Sequence, residues 1–115
     1  MHEMSLAGSI LRVVEAAAER EHFVRVTLLR IEAGALAGVE AGALRFALEV
    51  MAQDTCLQGA RIDIDTPPAA AWCMQCCTSV AMLARGDPCE HCGNAQLQPT
   101  SGTELRVVDM MVDDI

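Results

Sequence analysis

Tyrosine is absent from this 115-residue chain, and one tryptophan and two phenylalanines are its only aromatic side chains. A core built on large rings is thereby excluded. With 52% of residues hydrophobic, the interior has to be a small one of Ala, Val, Leu, Ile and Met. Basic residues are also scarce, eight against sixteen acidic ones, which leaves a formal net charge of -8. That balance repels phosphate backbones and anionic lipid surfaces at long range, so neither nucleic acid nor a membrane is expected as a partner. No apolar run is long enough to span a bilayer. Met1-His2-Glu3-Met4 also lacks the basic stretch, apolar segment and small-residue cleavage site of a secretory signal. The expected location is cytoplasmic, where thiols stay reduced and paired cysteines hold metal more often than they form disulfides. A chain of this length makes one ordinary core or two small units, of which at least one needs a staple such as a bound ion.

Helical and strand-like patterns alternate along the chain. From Ser5 to Glu21, Leu6, Ile10, Val13, Val14 and Ala17 recur at helical spacing, with Arg12, Glu15, Glu19 and Arg20 on the other side, which predicts an amphipathic helix starting almost at residue 1. His22 to Glu32 reads as a strand in which Val24, Val26 and Leu28 alternate with Arg25 and Thr27 before the phase changes at Leu29 and Ile31. After the punctuation of Gly34 and Gly38, Leu44, Ala47, Leu48 and Met51 mark a second helix from about Glu40 to Gln53. Ala60 to Thr66 alternates Ile62 and Ile64 with charged residues and stops at Pro67-Pro68, so a short strand ends there. The two prolines and the run Ala69-Ala70-Ala71 are expected to mark a boundary. A last strand-like stretch, Thr103 to Val112, resembles the earlier ones in composition. The cysteine region therefore reads as an insertion between strands of one sheet.

Cys73-Met74-Gln75-Cys76 and Cys89-Glu90-His91-Cys92 are two C-x-x-C turns separated by twelve residues, with Gly93 where a knuckle needs positive φ. Each turn brings two sulfurs to one side of an ion, and two turns close a tetrahedron. Zn(II) is the expected occupant, and four thiolates leave no position open for a reactive water, so the site is structural. Disulfides, a thioredoxin-like pair and an iron–sulfur centre are the competing readings. Cys77 could replace Cys76 in a shifted register, and His91 could exchange with a thiolate. Cys56 is read as a small buried side chain near the end of the second helix.

His2 has no structural explanation in the sequence, because it precedes the first apolar-periodic residue. The Met1 α-amine, the residue-2 amide nitrogen and the His2 imidazole can close fused chelate rings around one ion, with Glu3 as a fourth ligand through its amide or carboxylate. Such nitrogens favour square-planar geometry, which suits Ni(II) or Cu(II).

Met1-His2-Glu3 leading into Ser5-Leu6, together with the four-cysteine module, resembles the HypA/HybF family, nickel metallochaperones of NiFe hydrogenase maturation. Also similar to that family are Val26-Thr27, Ile31 to Gly34, Val39-Glu40, Leu44-Arg45-Phe46, Gly59-Ala60, Ile62 to Ile64, Trp72-Cys73 and Glu104 to Val108. Glu90 and His91 stand where family members usually carry a Pro after the third cysteine. The resemblance implies an α+β fold: two helices packed on a three-stranded sheet, with a zinc-ribbon domain inserted before the last strand. Residues 1–68 and 101–115 would form the nickel-binding domain and 69–100 the zinc ribbon. It implies transient Ni(II) at His2, Met1 and Glu3, structural Zn(II) at Cys73, Cys76, Cys89 and Cys92, and no enzymatic activity. The implied partners are a HypB-type nickel-handling GTPase and the hydrogenase large-subunit precursor; a homodimer is left open by the residues.

Two other classes fit the residues less well. A generic zinc-ribbon interaction module with nucleic acid would want basic or aromatic residues around the knuckles, and the ribbon offers Arg85 and little else. A thiol oxidoreductase would want a low-pKa cysteine in a strand-to-helix setting, and a zinc hydrolase would need a vacant ligand position.

Overall fold

The computed structural model describes residues 2–113. Its elements, in chain order, are α1 (His2–Glu21), β1 (Arg25–Ala33), α2 (Ala41–Met51), β2 (Arg61–Asp65), β3 (Ala69–Cys73), β4 (Thr78–Met82), β5 (Leu97–Pro99) and β6 (Leu105–Asp113). They form an α+β fold with two three-stranded sheets, ordered β2-β1-β6 and β4-β3-β5. The chain divides into two compact units, one of Met1–Ile31, Glu40–Ile64 and Val107–Ile115, the other of Glu32–Val39 and Asp65–Arg106.

In the first unit α1 buries Ala7, Ile10, Leu11, Val14 and Ala17, a stripe at three- and four-residue spacing. The stripe is rotated from the expected one: Val13 is 54% exposed, and Ala7 and Leu11 take the inner positions. At the contact with α2, a Cβ on Gly8 would lie 3.5 Å from the Met51 side chain, an ordinary packing distance. α2 buries Leu44, Ala47 and Leu48, as its apolar spacing anticipates. Its N-cap is Glu40, an unusual residue there, whose carboxylate accepts the Ala43 N–H. The side-chain phase does change within β1, where Val26 is buried and then Leu29, Ile31 and Ala33. A buried aliphatic residue costs about 2–5 kcal/mol when cut to alanine, so these positions set the stability of a unit with almost no aromatic packing.

In the second unit Ala69-Ala70-Ala71 opens β3, paired with Met82, Ala81 and Val80 of β4. Alanine has little intrinsic strand preference, and here packing overrides it: Ala69 and Ala71 are buried with Leu36 and Met82 in one small cluster. Leu36 explains why the compact unit takes in residues 32–39 and extends beyond 69–100. Backbone bonds fix that segment, with the N–H groups of Gly34, Ala35 and Leu36 donating to the carbonyls of Glu104, Pro67 and Gly102 at 2.9, 3.0 and 2.8 Å.

Gly102 sits at φ 85°, and a Cβ there would overlap Ala69; a Cβ on Gly34 would overlap the Gly102 carbonyl. Backbone meets backbone at these two positions, so neither has room for a side chain. Gly102→Ala is expected to destabilise the second unit by about 2 kcal/mol or more, read as a lower urea midpoint with unchanged slope.

Candidate metal centre

β3 ends on Cys73, whose side chain is fully buried, and the chain then turns back into β4 through Cys76. Cys89 and Cys92 come from the loop between β4 and β5. The four sulfurs lie within 4.8 Å of one another. Cys73 Sγ is 3.6 Å from Cys92 Sγ, and Cys76 Sγ is 3.9 Å from Cys89 Sγ. Four thiolates bound at 2.3 Å in a tetrahedron would stand about 3.8 Å apart, so the donor set fits one four-coordinate ion. Val80 and Leu97 pack against Cys73 and Cys89, and keep water from the inner side.

Backbone amides aim at the sulfurs. The N–H of Cys76 donates to Cys73 Sγ and that of His91 to Cys89 Sγ, each at 3.4 Å. Asn94 offers Nδ2 to Cys73 Sγ at 3.8 Å, while its carbonyl accepts the Cys89 N–H at 2.8 Å. These donors offset thiolate charge and hold the ligands in place. The Cys76 amide lowers the Cys73 thiol to about 6, whereas the neighbouring Cys92 sulfur and burial push Cys76 up to about 12. One thiolate thus forms readily and opposes ionisation of its neighbours. A bound dication removes that opposition, which makes metal binding proton-releasing.

The two knuckles are alike. The residue after the first pair, Cys77, has φ 53°, and the residue after the second, Gly93, has φ 77°. Cys77 occupies a left-handed turn position, points its thiol at the Met74 carbonyl at 3.3 Å, and is exposed. Cys76, not Cys77, joins the cluster. The His91 imidazole is 64% exposed and lies 3.7 Å from the Glu90 carboxylate, outside the sulfur set. Cys56 is half-buried in the first unit, and its thiol is raised by burial and then by Glu15.

At the other end of the sequence, α1 includes His2 and Glu3 in its first turn, as expected of a helix that starts almost at residue 1. An acidic residue suits the positive end of a helix dipole, which is why the helix reaches past its apolar stripe. The His2 side chain is 61% exposed, with Nδ1 3.9 Å from Glu3 Oε2. That carboxylate accepts the Glu40 backbone N–H at 3.3 Å, the main cause of its lowered pKa. Nothing in the sequence brings residue 40 to residue 3; the fold makes this contact. Met1 lies outside the described residues. Among the described residues, the four cysteines are the one group of three or more potential ligands brought together, and no helix is long and apolar enough to cross a membrane.

The family model described as "Hydrogenase/urease nickel incorporation, metallochaperone, hypA" matches residues 1–112. The chain belongs to the HypA family. It is 62% identical over 114 residues to the hydrogenase maturation factor HypA of Cupriavidus necator, covering 99% of this chain and 96% of that one. To the HypA of Polaromonas naphthalenivorans it is 60% identical, with 99% of each chain covered. Its fold is similar to the solution structure of the nickel metallochaperone HypA from Helicobacter pylori, with a TM-score of 0.67 at 18% identity, covering 96% of this chain and 97% of that one. A second HypA solution structure gives a TM-score of 0.69 at 20% identity, covering 100% of this chain and 98% of that one. HypA is a metallochaperone family and not an enzyme family.

The knuckle geometry yields two expectations. Cys77→Gly should stabilise the chain by about 0.5–1 kcal/mol, because the left-handed turn costs a side-chain-bearing residue roughly 1–2 and glycine about 0.5–1 in entropy; chemical denaturation reads the difference. Cys77→Ser should leave the bound metal per chain unchanged in elemental analysis, whereas Cys76→Ser should lose it.

Proposed function

We propose that this chain is a Ni(II) carrier that loads the ion at its amino-terminus and delivers it during maturation of NiFe hydrogenase, with Zn(II) held structurally by Cys73, Cys76, Cys89 and Cys92. Membership of a nickel-incorporation metallochaperone family supports the first half. The observation that carries the second is the tetrahedral spacing of four sulfurs with no position left for a reactive water.

The nickel ligands on this reading are the Met1 amine, the amide nitrogen and imidazole of His2, and Glu3. Two features favour them. Amide nitrogens in the first turn of a helix have no intrahelical acceptor, so binding an ion through them breaks no helical bond. The imidazole is exposed and turns Nδ1 toward the Glu3 carboxylate, which is itself held by the Glu40 N–H. An exposed site of this kind can pass its ion on by stepwise ligand exchange. The receiving partners are a HypB-type GTPase and the large-subunit precursor of the hydrogenase, and the work is done in the cytoplasm.

His2→Ala should abolish Ni(II) binding in calorimetry while zinc content and helical circular dichroism stay the same. The chain has no lysine, so an amine-specific acylating reagent acts on the α-amine alone and should have the same effect. Unaltered nickel affinity in either sample would return the protein to a generic zinc-ribbon interaction module. Removing zinc with a strong chelator at low pH should unfold the second unit, visible as loss of amide-exchange protection in β3 and β4, and leave α1 and α2 helical.

A further inference from the structure

The sheet of the second unit has two outer strands, β4 and β5, flanking β3. Their outer edges differ. The N–H of Thr100 donates to the Ala70 carbonyl at 2.8 Å, and Ala70 N–H donates to Ser101 Oγ at 3.0 Å, so the Ala70 backbone faces the β5 side. By the alternation of an antiparallel ladder, Trp72 faces that side too, and Ala69, Ala71 and Cys73 face β4. Their partners Met82, Val80 and Thr78 therefore point their backbone groups inward. Ser79 and Ala81 point theirs away from the sheet.

On β5 the corresponding outward position is Pro99, paired with Ala71. Proline has no N–H to offer, so that edge is blocked against another strand. β4 has no such device: Thr78-Ser79-Val80-Ala81-Met82 contains no charge, proline or glycine. The next outward amide, Leu83 N–H, is taken by Asp87 Oδ2 at 3.2 Å, and Ala84 N–H by the same oxygen at 3.0 Å. Asp87 thus ends the open edge after Ala81. Among the described residues no hydrogen bond takes up the Ser79 or Ala81 amide.

Beside this edge lies a groove of about 480 Å³, lined by Ala81, Leu83, Pro68 and Pro88 with Asp87 and Glu90 among them. Leu83 is 67% exposed. The nearby cation, Arg85, is turned to the Leu36 carbonyl at 3.4 Å. The edge therefore offers main-chain pairing, an apolar channel and the carboxylates of Asp87 and Glu90 together.

We propose that β4 is a docking edge onto which a partner protein adds an extended segment, apolar at alternate positions and carrying Arg or Lys that meet Asp87 and Glu90. Main-chain bonds to Ser79 and Ala81 give such strand addition its affinity, and alternate side chains in the groove give its specificity. A second copy of this chain is disfavoured as occupant, because each carries a net charge of -8.

The test uses zinc-loaded full-length protein and a short blocked peptide alternating valine with arginine. Amide exchange by NMR is read at Ser79 and Ala81. At ten times its Kd the peptide should slow both by roughly tenfold, while a valine–glutamate peptide has no effect. N-methylation on the valines in one peptide, and on the arginines in another, leaves charge unaltered but removes the amides of one face. Strand addition requires protection to be lost with one of these peptides and kept with the other; any other pattern overturns the proposal. Unchanged exchange at Ser79 and Ala81 with the parent peptide also overturns it. So does protection that appears without peptide and rises with protein concentration, since that identifies a second copy as the occupant.

Discussion

Four thiols held within 4.8 Å of one another are a demand on the rest of the second unit. Left without an ion, their thiolates repel, and the opposite displacements of Cys73 and Cys76 from the ordinary cysteine pKa express that conflict. With a dication they become the strongest cross-link in a unit whose apolar clusters are small. Three features of the surrounding chain follow from this demand. The knuckle amides turn inward to the sulfurs, Cys77 and Gly93 take left-handed conformations to make that turn, and β3 and β4 are brought to register by the turn that joins Cys73 to Thr78.

The first unit solves a different problem. Among its described residues no ligand cluster is found, and it is stabilised by burial of Ala7, Ile10, Leu11 and Val14 of α1 and of Leu44, Ala47 and Leu48 of α2. Its sheet is tied at the margins by exposed ion pairs such as Arg30 with Asp109 at 2.9 Å, which contribute little individually because water screens them. The Glu3 carboxylate is of another kind. Its bond to the Glu40 amide joins the first turn of α1 to the cap of α2, and so fixes the start of the chain's first helix within its own unit. For the proposed nickel carrier, such an anchored helix end would expose its ligands to a partner without a large ordering cost.

Local chemistry was legible from the sequence where a residue type and its spacing leave one geometric solution. Two C-x-x-C turns imply a closed four-sulfur site, and the structure assembles that set. Helical spacing located α1 and α2, and the alternation around Ile62 located β2. Less legible were features decided by neighbours distant in the chain. The run Ala69-Ala70-Ala71 carries no strand signal, and forms the start of β3 where Leu36 and Met82 cover it. Val13 fits a helical stripe as well as Leu11 does, and only the position of the packed face decides between them. The helix start was legible as well: the apolar period begins only at Leu6, and α1 reaches back to His2 as expected of a helix that starts almost at residue 1.

By itself the sequence determined which side chains can hold a thiophilic ion, because two C-x-x-C turns at this spacing bring four sulfurs to one place. That depends on side-chain type and on spacings of two or three residues, which short-range covalent geometry enforces. Only the tertiary structure decided which cysteine of the adjacent pair Cys76 and Cys77 faces the cluster, which residue holds Glu3, and which strand edge is left open. Those choices depend on backbone direction and on contacts between segments far apart in the chain, and no local pattern encodes them.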